Sequence, residues 1–171
     1  MKRVQGNGIP AECVNPKFQK WIVRWDIQPF FRKDKETGLE EQQGYDYCEQ
    51  WLTHKPSLEE VKEIVLTGYN AIVDEKILSG FVWKDMPVWL STENQFNYKA
   101  AYDLAVMSQG QSLPVTFKFG TTESPVYYTF ETLDDISDFY ISAMAYINTT
   151  LAEGWKLKDS IDWSVYEEAL K

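Results

Sequence analysis

His54 is the sole histidine of the 171 residues, so one chain cannot form a two-histidine metal site. Six residues before it stands Cys48, one of two cysteines with Cys13. A thiol paired with an imidazole would be an activated nucleophile. On a single strand, however, residues six apart share a face and stand about 20 Å apart at ~3.3 Å per residue. Both thiols therefore read as ordinary cysteines of a reducing compartment, and His54 as an exposed or hydrogen-bonded structural histidine. Paired acids of the kind glycosidases use occur at Glu59-Glu60, Asp134-Asp135 and Glu167-Glu168. Each pair falls near the start of a helix-patterned segment or in the last one, where the helix dipole and water account for acids without chemistry. Gly6-Asn7-Gly8 and Gly110-Gln111-Ser112 are too sparse for phosphate loops. No catalytic residue, metal ligand or cofactor is expected.

The aromatic residues are the better lead. Seven tryptophans and ten tyrosines are many for this length, and such side chains combine large contact area with a polar handle. The segment Gly80-Phe-Val-Trp-Lys-Asp-Met-Pro-Val-Trp-Leu90 reads as a short two-stranded ribbon, 81–84 with 87–90, and it runs into a helix capped at Ser91 or Thr92. Trp83 and Trp89 then lie together or one register apart. Two readings stand: both fill the core, or Trp83 and Trp89, with Tyr127 and Tyr128 of a later strand, form an interaction surface. Gln95 and Asn97 are expected to fix the ribbon against the helix start through side-chain hydrogen bonds.

The surrounding pattern places these residues. Residues 1–16 show no periodicity and read as a flexible leader. Residues 17–56 form an N-terminal hairpin: a strand at Lys20–Ile27 ended by Pro29, a long loop around Gly38, and a return from Tyr45 to His54. Residues 57–160 form the core domain. Ser57 and Glu60 make a capping box for a helix with Leu58, Val61, Val65, Ile72 and Ile77 on one side. A second helix runs through Phe96, Ala100, Leu104 and Met107 to Gly110. Alternation at Val115, Phe117 and Phe119, a turn, and a return from Val126 to Phe130 give another hairpin. A third helix opens at Thr132 and closes at Gly154. Residues 161–171 form a last helix carrying Trp163, Tyr166 and Leu170. The order ββ-α-ββ-α-ββ-α-α is α+β, antiparallel hairpins alternating with amphipathic helices, because the links are too short for parallel crossovers.

The net charge of −9 is concentrated in residues 121–171, with ten acidic residues against three basic. No basic stripe exists to release counterions from a phosphate backbone, so nucleic acid is not an expected partner. No apolar run reaches membrane-spanning length, and the Met1 end lacks a signal-peptide core. The expected location is a host cytoplasm during assembly, with possible presence in a virion.

That location comes from a resemblance. From about His54 to Asp162 the layout resembles a domain of unknown function in short phage and prophage proteins, often encoded beside tail fibres. The likeness rests on Ile77-Leu-Ser-Gly-Phe-Val-Trp83, the ribbon and Ser91, Gln95-Phe-Asn97, Pro114-Val-Thr-Phe-Lys-Phe119, Thr132-Leu-Asp-Asp-Ile136 and Gly154-Trp155. Trp21-Ile-Val-Arg-Trp25 and His54-Lys-Pro-Ser-Leu-Glu-Glu60 resemble the form carried by prophages of gut bacteria. What the resemblance implies is a non-enzymatic structural or adaptor protein of a tail module, contacting other tail proteins or a second copy of itself. A carbohydrate-binding module using exposed Trp and Tyr is the alternative. A glycan hydrolase using Glu123 and Asp134 is a third.

Overall fold

The computed structural model describes residues 2–6, 14–17, 20–33 and 38–171. It is an α+β fold of antiparallel strands and four helices. Two compact units emerge: Met1–Ala71 with Leu157–Lys171, and Ile72–Lys156. These divisions fall inside two long helices rather than at residues 56/57 and 160/161.

The first unit is built on a four-stranded sheet in the order β1-β4-β3-β2, from β1 (Lys2–Gly6), β2 (Val14–Lys17), β3 (Lys20–Lys33) and β4 (Glu40–Leu52). Residues 2–6 and 14–17 are therefore strands and not a flexible leader; residues 7–13, Cys13 among them, lie outside the described residues, as does the 34–37 stretch of the expected loop. The leader lacks an apolar period of its own. Its strands are held by pairing to the sheet, Lys2–Gly6 along Glu49–Tyr45 and Val14–Lys17 along Val23–Lys20.

β3 also continues past Pro29, which pairs with Tyr45. Proline is tolerated there because β2 pairs only with Lys20–Val23, leaving one edge of β3 without a described neighbour to receive an N–H. A register shift between Trp25 and Gln28 marks a bulge, with Asp26 at φ +50°. Arg3 secures it, its guanidinium 2.7 Å from the Asp26 carboxylate and 3.0 Å from that of Asp46. Arg24 and Glu49 form a buried pair at 3.5 Å, and the Trp51 indole N–H donates to Glu49 at 2.9 Å.

α1 (Leu58–Ser79) starts as its sequence dictates: the Glu60 N–H donates to Ser57 Oγ at 3.2 Å. The reciprocal half of the capping box is replaced, because the Glu60 carboxylate lies 3.0 Å from His54 Nε2. Gly68 lets the helix approach the sheet: a Cβ there would stand 2.3 Å from the Trp25 indole. α4 (Trp163–Ala169) is capped by Asp162, and its Tyr166 hydroxyl donates to the Arg24 carbonyl at 2.8 Å.

The second unit holds an aromatic core. Its ribbon is β5 (Phe81–Trp83) with β6 (Met86–Val88), and its longer hairpin is β7 (Val115–Gly120) with β8 (Pro125–Phe130). α2 (Thr92–Met107) and α3 (Leu133–Asp159) supply Tyr98, Ala105, Ile136, Phe139, Ala143 and Ile147 to the core shared with Phe81, Trp83, Phe119 and Phe130. α3 does not stop at Gly154. That glycine is buried inside the helix, where a Cβ would meet the Val73 side chain at 2.4 Å, so its smallness serves packing rather than termination.

Candidate functional site

The ribbon turns through Lys84 and Asp85, both at positive φ (+47° and +62°), the geometry of a two-residue type I′ turn. Its register pairs Phe81 with Val88 and Trp83 with Met86. Phe81, Trp83 and Val88 face inward, while Trp89 follows β6 on the opposite face. The two tryptophans therefore do not share a surface. Trp83, only 5% exposed, is the hub of the core, with ring centroids of Tyr128, Phe139 and Phe130 at 4.9, 5.1 and 5.5 Å. It has no place in an exposed platform.

A polar clasp closes the core at this end. The Trp83 indole N–H donates to the Asp138 carboxylate at 3.0 Å. The Lys84 ammonium donates to Asp135 at 2.6 Å and to the Tyr128 hydroxyl at 3.0 Å, and it lies 4.3 Å from the Trp83 ring centroid. Tyr128 in turn donates to the other Asp135 oxygen at 2.7 Å. Asp135, followed by Tyr128, holds the Lys84 ammonium well above its ordinary pKa. Such a lysine stays charged and is neither a base nor a Schiff-base nucleophile. Lys84, Tyr128 and Asp135 thus fasten the turn to β8 and α3. Sequence reasoning assigned Asp135 to the helix start alone and missed the clasp; a lysine in a tight turn and an i, i+3 pair of aspartates were its only signals.

Trp89 and Tyr127 are exposed, at 51% and 68%. Tyr127 lies directly opposite Lys118 in the β7–β8 register. Trp89 and Lys118 line one groove of about 500 Å³, together with Pro87, Phe119, Thr121 and Thr122. Of the four residues expected to form a surface, Trp89 and Tyr127 are exposed, Trp83 is core, and Tyr128 belongs to the clasp.

The link from ribbon to α2 is fixed largely as the sequence suggests. Ser91 caps α2 through the Asn94 N–H at 3.2 Å, and the Gln95 side chain donates to the Leu90 carbonyl at 2.7 Å. The second amide is Asn94, which donates to the Trp89 carbonyl at 2.9 Å; Asn97 is exposed and makes no such bond.

α2 itself holds a larger departure from expectation. Tyr98 and Ala105 are its buried residues. The line Phe96, Ala100, Leu104 and Met107, read from sequence as the path of the helix, lies on the far side in solvent, with Phe96 71%, Leu104 56% and Met107 82% exposed. A continuous apolar stripe on one side of a folded helix marks a contact surface rather than scattered exposure.

Groups capable of catalysis stand on different elements. Cys48 is buried beside Arg3, and burial pushes its thiol above the ordinary value. His54 follows the end of β4 and pairs with Glu60. Glu123 and Asp134 are both exposed, one in the β7–β8 turn and one in the first turn of α3. Among the described residues no group of three His, Cys, Asp or Glu side chains is placed to hold a metal ion. No helix among them is long and apolar enough to cross a membrane.

A family model described as "Domain of unknown function (DUF4376)" matches residues 60–170. No curated protein and no solved structure matches the chain.

Proposed function

This chain belongs to the DUF4376 family, and within it we propose a non-enzymatic structural or adaptor protein of a phage or prophage tail module. It acts through contacts with other tail proteins or a second copy of itself. The single observation that supports this most is the outer stripe of α2, Phe96, Ala100, Leu104 and Met107, opposite the side that builds the core. Burying large apolar side chains of this kind is what drives association, at roughly 25 cal/mol per Å² removed from water. The phage setting extends the resemblance of residues 54–162 to short proteins encoded beside tail fibres. The work is done in a host cytoplasm during tail assembly, and neither nucleic acid nor a membrane is its partner.

The test combines light scattering at micromolar concentration with capture of tail proteins by the full chain and by a Phe96→Glu/Leu104→Glu variant. Self-association or capture by the full chain, lost in the variant, is expected. A strictly monomeric chain that captures no tail protein would sink the reading, as would an unimpaired variant.

A further inference from the structure

We propose that the groove between β6 and the β7–β8 hairpin binds a carboxylated pyranose, such as a uronic acid unit of an acidic glycan. The site is separate from the outer stripe of α2 and stands on different observations.

Three features of the groove select this ligand. The first is the Trp89 side chain, half-exposed at its wall. An indole face is a flat, apolar platform that suits the C–H face of a sugar ring and keeps a polar edge wet. Tyr127, paired opposite Lys118 on β8, adds an exposed ring beside that lysine.

The second is charge. Residues 72–156 carry five lysines against eleven acidic residues. Lys76, Lys84 and Lys99 are each held by an acid, Glu153, Asp135 and Asp103 respectively. Lys118 has no acidic partner within ion-pair distance among the described residues, and it is exposed at the groove. The fifth lysine, Lys156, is exposed on α3 within the field of Glu153 and does not line this groove. Lys118 is therefore the groove's cation, and a carboxylate there provides a charge-assisted hydrogen bond. The same acidity repels a densely charged anion, which favours a ligand presenting a single carboxylate at the groove.

The third is the polar rim. Thr121 accepts the Ser124 N–H at 3.0 Å, which fixes the turn, and Thr122 beside it also lines the groove. About 500 Å³ falls within the range of small-molecule sites and accommodates one or two sugar rings.

The test uses the full chain with glucuronate- and galacturonate-containing oligosaccharides against neutral oligosaccharides of equal length, read by titration calorimetry and indole N–H resonances. The acidic sugars are expected to bind at least tenfold tighter and to shift the resonance that disappears in Trp89→Phe. Trp89→Ala and Lys118→Met should each weaken binding at least tenfold with unchanged thermal unfolding, since both side chains are exposed. Equal affinity for neutral sugars overturns the proposal, since neither the carboxylate nor Lys118 would then select the ligand. No saturable binding, binding unaffected by either variant, or binding of an acidic peptide in place of the sugars overturns the proposal.

Discussion

Phe96 and Tyr98 stand two residues apart on α2 and point to opposite sides of it, Phe96 into solvent and Tyr98 into the core against Phe117 and Phe139 at centroid distances of 4.9 and 5.0 Å. The helix thus has two apolar sides, and only one is used by the fold. If the outer side serves contacts, its residues should matter little to folding. Phe96→Glu and Leu104→Glu are each expected to change unfolding free energy by no more than about 0.5 kcal/mol, the range of surface substitutions. Urea unfolding of the monomer checks this. A loss of several kcal/mol would mean that the stripe is buried in the folded chain.

Trp83 should behave in the opposite way. Trp83→Ala removes the hub of the aromatic core and leaves Asp138 without its indole donor. The expected cost is about 3–5 kcal/mol, as for other large-to-small core changes. Trp83→Phe restores the ring but not the N–H and should recover most, though not all, of that loss. Equal stability of the two variants in denaturant would show that packing is irrelevant there.

Gly68→Ala pits two effects against each other. Alanine raises helix propensity by about 1 kcal/mol. Its Cβ would stand 2.3 Å from the buried Trp25 indole, and overpacking of that kind costs about 1–3 kcal/mol. The overpacking should win, because the contact is with the rigid ring of a buried Trp25 rather than with the end of a flexible side chain. A variant more stable than the parent in thermal unfolding would show that α1 and Trp25 separate easily.

Burial pushes the Tyr98 phenol from 10.0 up to about 12. The folded chain therefore holds this proton at pH values where the unfolded chain has released it. The stability tied to the neutral phenol is complete below pH 10 and is lost as pH rises from 10 toward 12. Tyr98→Phe should flatten that part of the stability curve, with tyrosinate absorbance as the direct readout. An unchanged alkaline limb would place the titration elsewhere.

The hairpin-and-helix order and the helix starts were legible because they are local. Ser57, Ser91 and Thr132 each accept an N–H three residues on, as their spacing requires. The faces were harder. On α2, Phe96, Leu104 and Met107 are more apolar than Tyr98 and Ala105, yet the latter pair faces the aromatic cluster that only the tertiary fold assembles. Trp83 and Trp89 look equivalent in a short ribbon, and the register at Met86 and Val88 separates them. Lys84 finds Asp135 across 51 residues, a distance no local pattern reports. The strands at 2–6 and 14–17 were hidden for the same reason, since pairing rather than composition makes them.

Met107 offers the most direct measurement, because it ends the outer stripe of α2 and is the most exposed of its large apolar side chains. Its oxidation by dilute peroxide can be followed by peptide mass spectrometry, alone at low concentration and then with rising concentration or added tail proteins. If α2 docks a partner, Met107 should oxidise several-fold more slowly in the associated state, and Leu104→Glu should restore the free rate. Association that leaves Met107 as reactive as in the monomer would contradict the assignment of this helix face as the contact surface.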